Sequence, residues 1–161
     1  MYINPVAKTL AYCLMPNHIH VLIRTRKESE LNQLEKISTY KNIELYISKQ
    51  FSNLFSSYTQ AFNKVNQRRG NLFISNFQRK IVDNEIYLDN LIFYIHNNPV
   101  HHNFVSEIED WKYSSYQIYI FDQDTFLEKE FVNNLFSNKN NFIEFHQNKQ
   151  EFDKISQLII E

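Results

Sequence analysis

The sequence predicts one domain of mixed strand and helix, on three observations. Residues 8–15 and 18–25 are short apolar runs on either side of Pro16-Asn17, which reads as two strands joined by a tight turn. Apolar residues from Leu31 to Phe62 recur at helical spacing. A polar start at Asp83 or Asn84 and a stop at Pro99 bracket a further helical stretch. A length of 161 residues suits one such domain and leaves room for a small appendage.

Each element follows from its residues in order. In the second strand, alternation puts His18, His20 and Leu22 on one face and Ile19, Val21 and Ile23 on the other, and the second face is expected to meet the core. The stretch 28–69 holds one or two amphipathic helices, anchored by Leu31, Leu34, Ile37, Leu45, Phe51, Phe55 and Phe62. Gly70-Asn71 is the strongest breaker in the chain, and residues 72–82 look extended. The next helix is expected to end at Asn98, because a proline disfavours helical backbone in the residue before it. Residues 111–121 are aromatic and fit either state. Residues 122–161 read as two polar helices with Phe126, Phe131, Leu135, Phe142 and Phe145 as apolar anchors.

Composition excludes several classes. Hydrophobic residues make up 43% and aromatics 16%, which is a globular and not a disordered composition. One cysteine, Cys13, rules out an intrachain disulfide, and a reducing, cytoplasmic setting is expected. No apolar run approaches the ~20 residues that span a bilayer, and the first residues do not read as a signal peptide, so no membrane partner is expected. Gly70 is the single glycine, so a Walker loop and a dinucleotide fingerprint are excluded, since both need several glycines for backbone approach to phosphate. Phosphate, if handled, must be met by side chains or a metal.

The net charge of -1 hides a split. Up to Ile120 the chain is basic, with thirteen Lys and Arg against ten Asp and Glu, and beyond it acidic, with four against eight. Lys64, Arg68, Arg69, Arg79 and Lys80 follow one another with no acid between them. Such a segment can bind a polyanion such as DNA; charge alone fits a solvated face equally well.

His18 and His20, at i and i+2 on a strand, point the same way and form half of a possible divalent-metal site. The same spacing fits two half-buried, hydrogen-bonded histidines. Tyr94 and Asn98 are four apart and share a helix face, where an amide oxygen could complete the metal shell beside a phenol. Tyr87 and Leu91 lie on roughly that face too, which fits a core aromatic. His96, His101 and His102 are expected to be loop or solvent histidines.

Four segments together carry a resemblance. Cys13-Leu14-Met15-Pro16-Asn17-His18-Ile19-His20-Val21-Leu22-Ile23 resembles the HUH strand of single-tyrosine transposases. Asn71-Leu72-Phe73 through Phe77-Gln78-Arg79 resembles the "G-x-L-(F/W)…F-x-x-(R/K)" segment of the REP-associated branch. Tyr94-Ile95-His96-Asn97-Asn98-Pro99-Val100 is similar to its "Y-I-x-x-N-P-V" helix end, and Trp111-Lys112-Tyr113-Ser114-Ser115-Tyr116 to its "W-x-(Y/W)-S-S-Y" signature. The four occur in the family's order and span about residues 8–120.

The resemblance implies an α+β fold with a ferredoxin-like antiparallel sheet, helices packed on one face, and a helical C-terminal extension. It implies a transposase domain over residues 1–121 and the extension over 122–161. Only eight residues precede the matched segment, so the family's first strand and helix are expected to be missing or atypical. The implied activity is metal-dependent cleavage and rejoining of single-stranded, hairpin-containing DNA through a 5′-phosphotyrosine link. Carried over by motif, Tyr94 is the nucleophile and His18, His20 and Asn98 hold magnesium or manganese. The implied partner is hairpin DNA, met by a monomer or homodimer that is nucleoid-associated when bound. The alternative is a chain that holds hairpin DNA without cutting it. A histidine-rich stretch, His101-His102-Asn103, stands where the family has small residues and glycine.

Overall fold

In the computed structural model, which describes residues 2–34, 37–74, 77–82 and 87–148, β1 (Ala7–Leu14) and β2 (Ile19–Thr25) form a two-stranded antiparallel hairpin. The Met15 N–H donates to the His18 carbonyl at 2.9 Å and closes the Pro16-Asn17 turn. The class is α+β. The far edge of β1 is also occupied. Cys13 bridges antiparallel to Ser114, and Thr9 bridges parallel to Leu127. The Leu14 N–H donates to Tyr113 O and the Ser115 N–H to Tyr12 O, both at 2.9 Å. The aromatic segment 111–121 therefore divides between the two states: it lies beside β1 and then coils into α4 (Tyr116–Ile120).

The described residues fall into two compact units. The first holds the residues up to Lys8 and Thr25–Gln78. Here α1 (Glu28–Leu31) is a single turn, and α2 (Ile43–Val65) is long. Asn42 caps α2, its side-chain oxygen accepting from the Leu45 N–H at 2.9 Å. Tyr46 is the one buried side chain along its 23 residues. The next stretch, expected to be extended, is irregular. It lays Phe73 4.9 Å and Phe77 5.4 Å from the Phe55 ring, so the aromatic ridge of α2 finds its cover there. Gly70 has φ +92°, a backbone that favours glycine.

The second unit holds Thr9–Arg24 and the described residues from Arg79 onward. Its core gathers Leu10, Ala11 and Cys13 from β1, Leu22 from β2, and Ile92, Phe93 and Ile95 from α3 (Leu88–His101). Helices α5 (Lys129–Leu135) and α6 (Lys139–Gln147) add Val132, Phe136 and Phe142 to the same core. Of the C-terminal segment, residues 122–128 are irregular and the two helices follow them; Phe142, 1% exposed, stacks on Tyr116 from the SSY motif with ring centroids 5.7 Å apart.

Two expectations are corrected. Pro99 does not stop α3, which continues to His101. Proline this close to a C-terminus removes one N–H bond, the one to the Ile95 carbonyl. The turn is closed instead by the His102 N–H to Asn98 O at 3.0 Å and the Phe104 N–H to Pro99 O at 2.9 Å. The second correction concerns β2. Leu22 is 6% exposed while Ile19 and Val21 are 37% and 46% exposed, so the histidine face is the inner one. The period-2 alternation holds, but α3 packs on the side that carries His18 and His20. Asp83 and Asn84, the expected start of this helix, lie outside the described residues.

Candidate active site

β2 and α3 bring four side chains together within the second unit. Extended backbone turns His18 and His20 to one side, with ring centroids 4.8 Å apart and planes at 82°. Tyr94 and Asn98 stand one turn apart on α3. The Tyr94 ring lies 5.7 Å from that of His20. Asn98 Oδ1 lies 3.4 Å from His18 Nε2. The imidazoles are half-buried, and Tyr94 and Asn98 have no exposed surface. All four sequence candidates for catalysis and metal binding are therefore neighbours, supplied by one chain.

The hydrogen bonds show how these atoms are prepared. His18 Nδ1 donates to Asn17 Oδ1 at 2.8 Å, which in the neutral ring makes Nε2 the lone-pair nitrogen. In the neutral ring that lone pair faces the Asn98 carbonyl oxygen, a second acceptor; a proton on Nε2 makes the same 3.4 Å contact a hydrogen bond to the amide oxygen. Asn98 Nδ2 is buried and has no partner among the described residues. Two acceptors converging in this way fit a cation that takes both. Among the described residues no three His, Cys, Asp or Glu side chains gather as a metal site. The donors that fit are therefore two imidazoles and one amide oxygen, with open positions left for phosphate or water oxygens.

The basic candidates divide between the two units. Lys64, Arg68 and Arg69 are exposed in the first unit, where the Arg68 guanidinium lies 5.7 Å over the Phe62 ring. Arg79 and Lys80 are exposed in the second unit.

Of the three histidines expected to be loop or solvent residues, one departs from expectation. His101 and His102 are exposed, and His102, one turn beyond Asn98, stands 5.6 Å from the His18 ring. The i, i+4, i+8 spacing of Tyr94, Asn98 and His102 carried that signal in the sequence. His96 is neither a loop nor a solvent residue: it is completely buried on the opposite side of α3. Its Nδ1 is 2.9 Å from His146 Nε2, and its Nε2 is 2.7 Å from Ser115 Oγ. His146 Nδ1 lies 2.8 Å from the Phe142 carbonyl. The carbonyl can only accept, and with both rings neutral this orders the protons of the row; the Ser115 hydroxyl, which also lies 3.2 Å from the Tyr12 carbonyl, then turns to the closer His96 Nε2. His146 donates from Nδ1 to Phe142 O, His96 donates from Nδ1 to His146 Nε2, and Ser115 Oγ–H donates to His96 Nε2. Ser115 Oγ in turn accepts the Tyr12 N–H at 2.9 Å. His146 was not singled out in the sequence; its one signal was a histidine beside the apolar anchors Phe142 and Phe145.

Both rings are held neutral. Burial pushes His146 down to about 4 and His96 well below its ordinary range. The unfolded chain then binds more protons than the folded one between pH 6.5 and about 4. Stability is full above pH 6.5 and falls as pH drops through that window, by roughly 3 kcal/mol for His146 alone at ~1.4 kcal/mol per unit. Urea melts at pH 7 and pH 4.5 should show this loss, and His146→Gln should flatten it. Cys13 is no nucleophile here, since burial pushes its thiol up to about 12.

An α+β unit in which a strand-borne histidine pair meets a tyrosine and an asparagine one helical turn apart is the arrangement expected of a single-tyrosine transposase. Comparison with known proteins points the same way. The chain is 31% identical over 111 residues to a Haemophilus influenzae protein whose name places it provisionally among the REP-associated tyrosine transposases. The match covers 68% of this chain and 58% of the relative's length. No family profile and no solved structure matches. The chain is thus similar to a protein named for the branch that its motifs resemble. Among the described residues no helix is long and apolar enough to cross a membrane.

Proposed function

We propose that this protein cuts and rejoins single-stranded DNA beside a hairpin, with Tyr94 as nucleophile and His18, His20 and Asn98 holding magnesium or manganese. The observation that carries this reading is the approach of Asn98 Oδ1 to His18 Nε2 at 3.4 Å, one helical turn from Tyr94. A nitrogen and oxygen donor set suits either ion, and manganese accepts imidazole more readily. When bound, the ion neutralises the oxygens of the scissile phosphate and orients phosphorus for in-line attack.

The chain's own residues do the rest. Asn17 fixes the His18 tautomer and keeps Nε2 free to ligate. Tyr94 Oη gives up its proton to water and bonds to phosphorus as the bond from phosphorus to the 3′ oxygen breaks. The 3′ oxygen takes a proton from water and leaves as a hydroxyl, and the 5′ phosphate stays on the tyrosine. An unperturbed phenol titrates near ~10, well below an alcohol, so it is also the better leaving group. The released 3′-hydroxyl can therefore reverse the step and join strands without ATP. Because all four side chains come from one chain, a monomer suffices for the chemistry.

Incubating the protein with a labelled hairpin oligonucleotide and Mn²⁺, followed by a denaturing gel, tests this. A band shifted by the protein's mass supports the reading, and binding without a band supports the non-cutting alternative. A further expectation concerns the basic residues. Hairpin affinity should fall steeply with salt, and reversing Arg68 and Arg69 to Glu should flatten the log–log slope by about 1.5 to 2. An unchanged slope would make these arginines a solvated face only.

A further inference from the structure

We propose that His146, on the C-terminal helix α6, is a positioning residue for the Tyr94–Asn98 helix and acts through His96. This rests on the reading of Tyr94 and Asn98 as the working side chains. The argument begins with α3, which is buried on two sides. One side carries Tyr94 and Asn98 toward His20 and His18. The other carries His96 into contact with His146, Ser115, Phe142 and Tyr116. Apolar packing alone lets a helix slide or turn by small amounts at little cost. A row of hydrogen bonds with fixed donors does not, because any rotation of α3 breaks two short buried bonds at once.

The row has a fixed register at both ends. At one end, His146 is tied to its own helix through the Phe142 carbonyl at 2.8 Å. At the other, Ser115 is tied to β1 through the Tyr12 N–H at 2.9 Å. His96 therefore locks α3 between α6 and β1, the strand paired with β2. The rotational setting of α3 decides where Asn98 Oδ1 stands relative to His18 Nε2. The C-terminal segment thus belongs to the working unit, although it contributes no side chain to the site itself.

The test uses the full chain. Long-range ¹H–¹⁵N NMR at pH 7 should find the proton on Nδ1 of both His96 and His146; a proton on Nε2 of His146 overturns the proposal. His146→Gln keeps an acceptor for His96, whereas His146→Leu does not. His146→Leu should displace the Asn98 side-chain amide resonance and weaken Mn²⁺ binding, read by electron paramagnetic resonance, by about tenfold. His146→Gln should stay close to wild type in both. A structural role alone would lower the melting temperature of the two variants and leave both readouts unmoved in the folded protein. That result overturns the proposal. If His146→Leu does not fold, Ser115→Ala breaks the row at its other end and should displace the same resonance. If wild-type protein binds no Mn²⁺, the metal reading fails by itself, and the Asn98 resonance alone decides the positioning role.

Discussion

Tyr94→Phe should abolish the covalent DNA adduct, lowering its formation at least ~10³-fold, while hairpin binding stays near wild type. The substitution removes one oxygen and keeps the ring. That ring stands edge-on to His20 at 5.7 Å within a fully buried position, and phenylalanine can fill the same volume. The adduct is read on a denaturing gel and the binding by fluorescence anisotropy. A Tyr94→Phe protein that still forms the adduct would move the nucleophile elsewhere, with the exposed Tyr87 as first candidate.

The second large effect concerns the two imidazoles. Replacing both His18 and His20 with Ala should end cleavage at every metal concentration, because the nitrogen donors are gone together. Asn98→Ala removes one donor and leaves both rings. Metal should still bind, about 10- to 100-fold more weakly, and excess Mn²⁺ should restore cleavage. Circular dichroism checks the fold of each variant. The double histidine variant should stay folded, since both rings are half-buried and Leu22 still anchors β2 in the core. Mixing it with Tyr94→Phe protein should not recover activity, because one chain supplies the complete set. Recovery would mean that the site is shared between two copies.

Local patterns in the sequence carried most of the site. An i, i+2 pair on a strand and an i, i+4 pair on a helix fix which side chains share a face, and those periods survive folding unchanged. They do not say which face looks inward. Ile19, Val21 and Ile23 are the more apolar triplet of β2, yet α3 covers the histidine side. The course of α3 past Pro99 was hidden for a related reason. A proline costs a helix one bond, and whether the chain continues depends on carbonyl partners further along, here the His102 and Phe104 N–H groups. Least legible was the buried histidine pair. His96 and His146 are fifty positions apart and meet only through the packing of α6 on α3, which no spacing rule encodes.

The complete burial of Tyr94 has a kinetic consequence. A phosphate cannot touch a phenol with no exposed surface, so in this structure the proposed nucleophile is latched. Some neighbour must shift before attack could occur. If the protein cuts DNA as proposed, scission should be gated: single-turnover traces should show a lag, or a rate that saturates with DNA at the opening frequency. Such a latch also confers restraint. Under the proposed function, a single strand lacking the interactions that open it would meet no nucleophile.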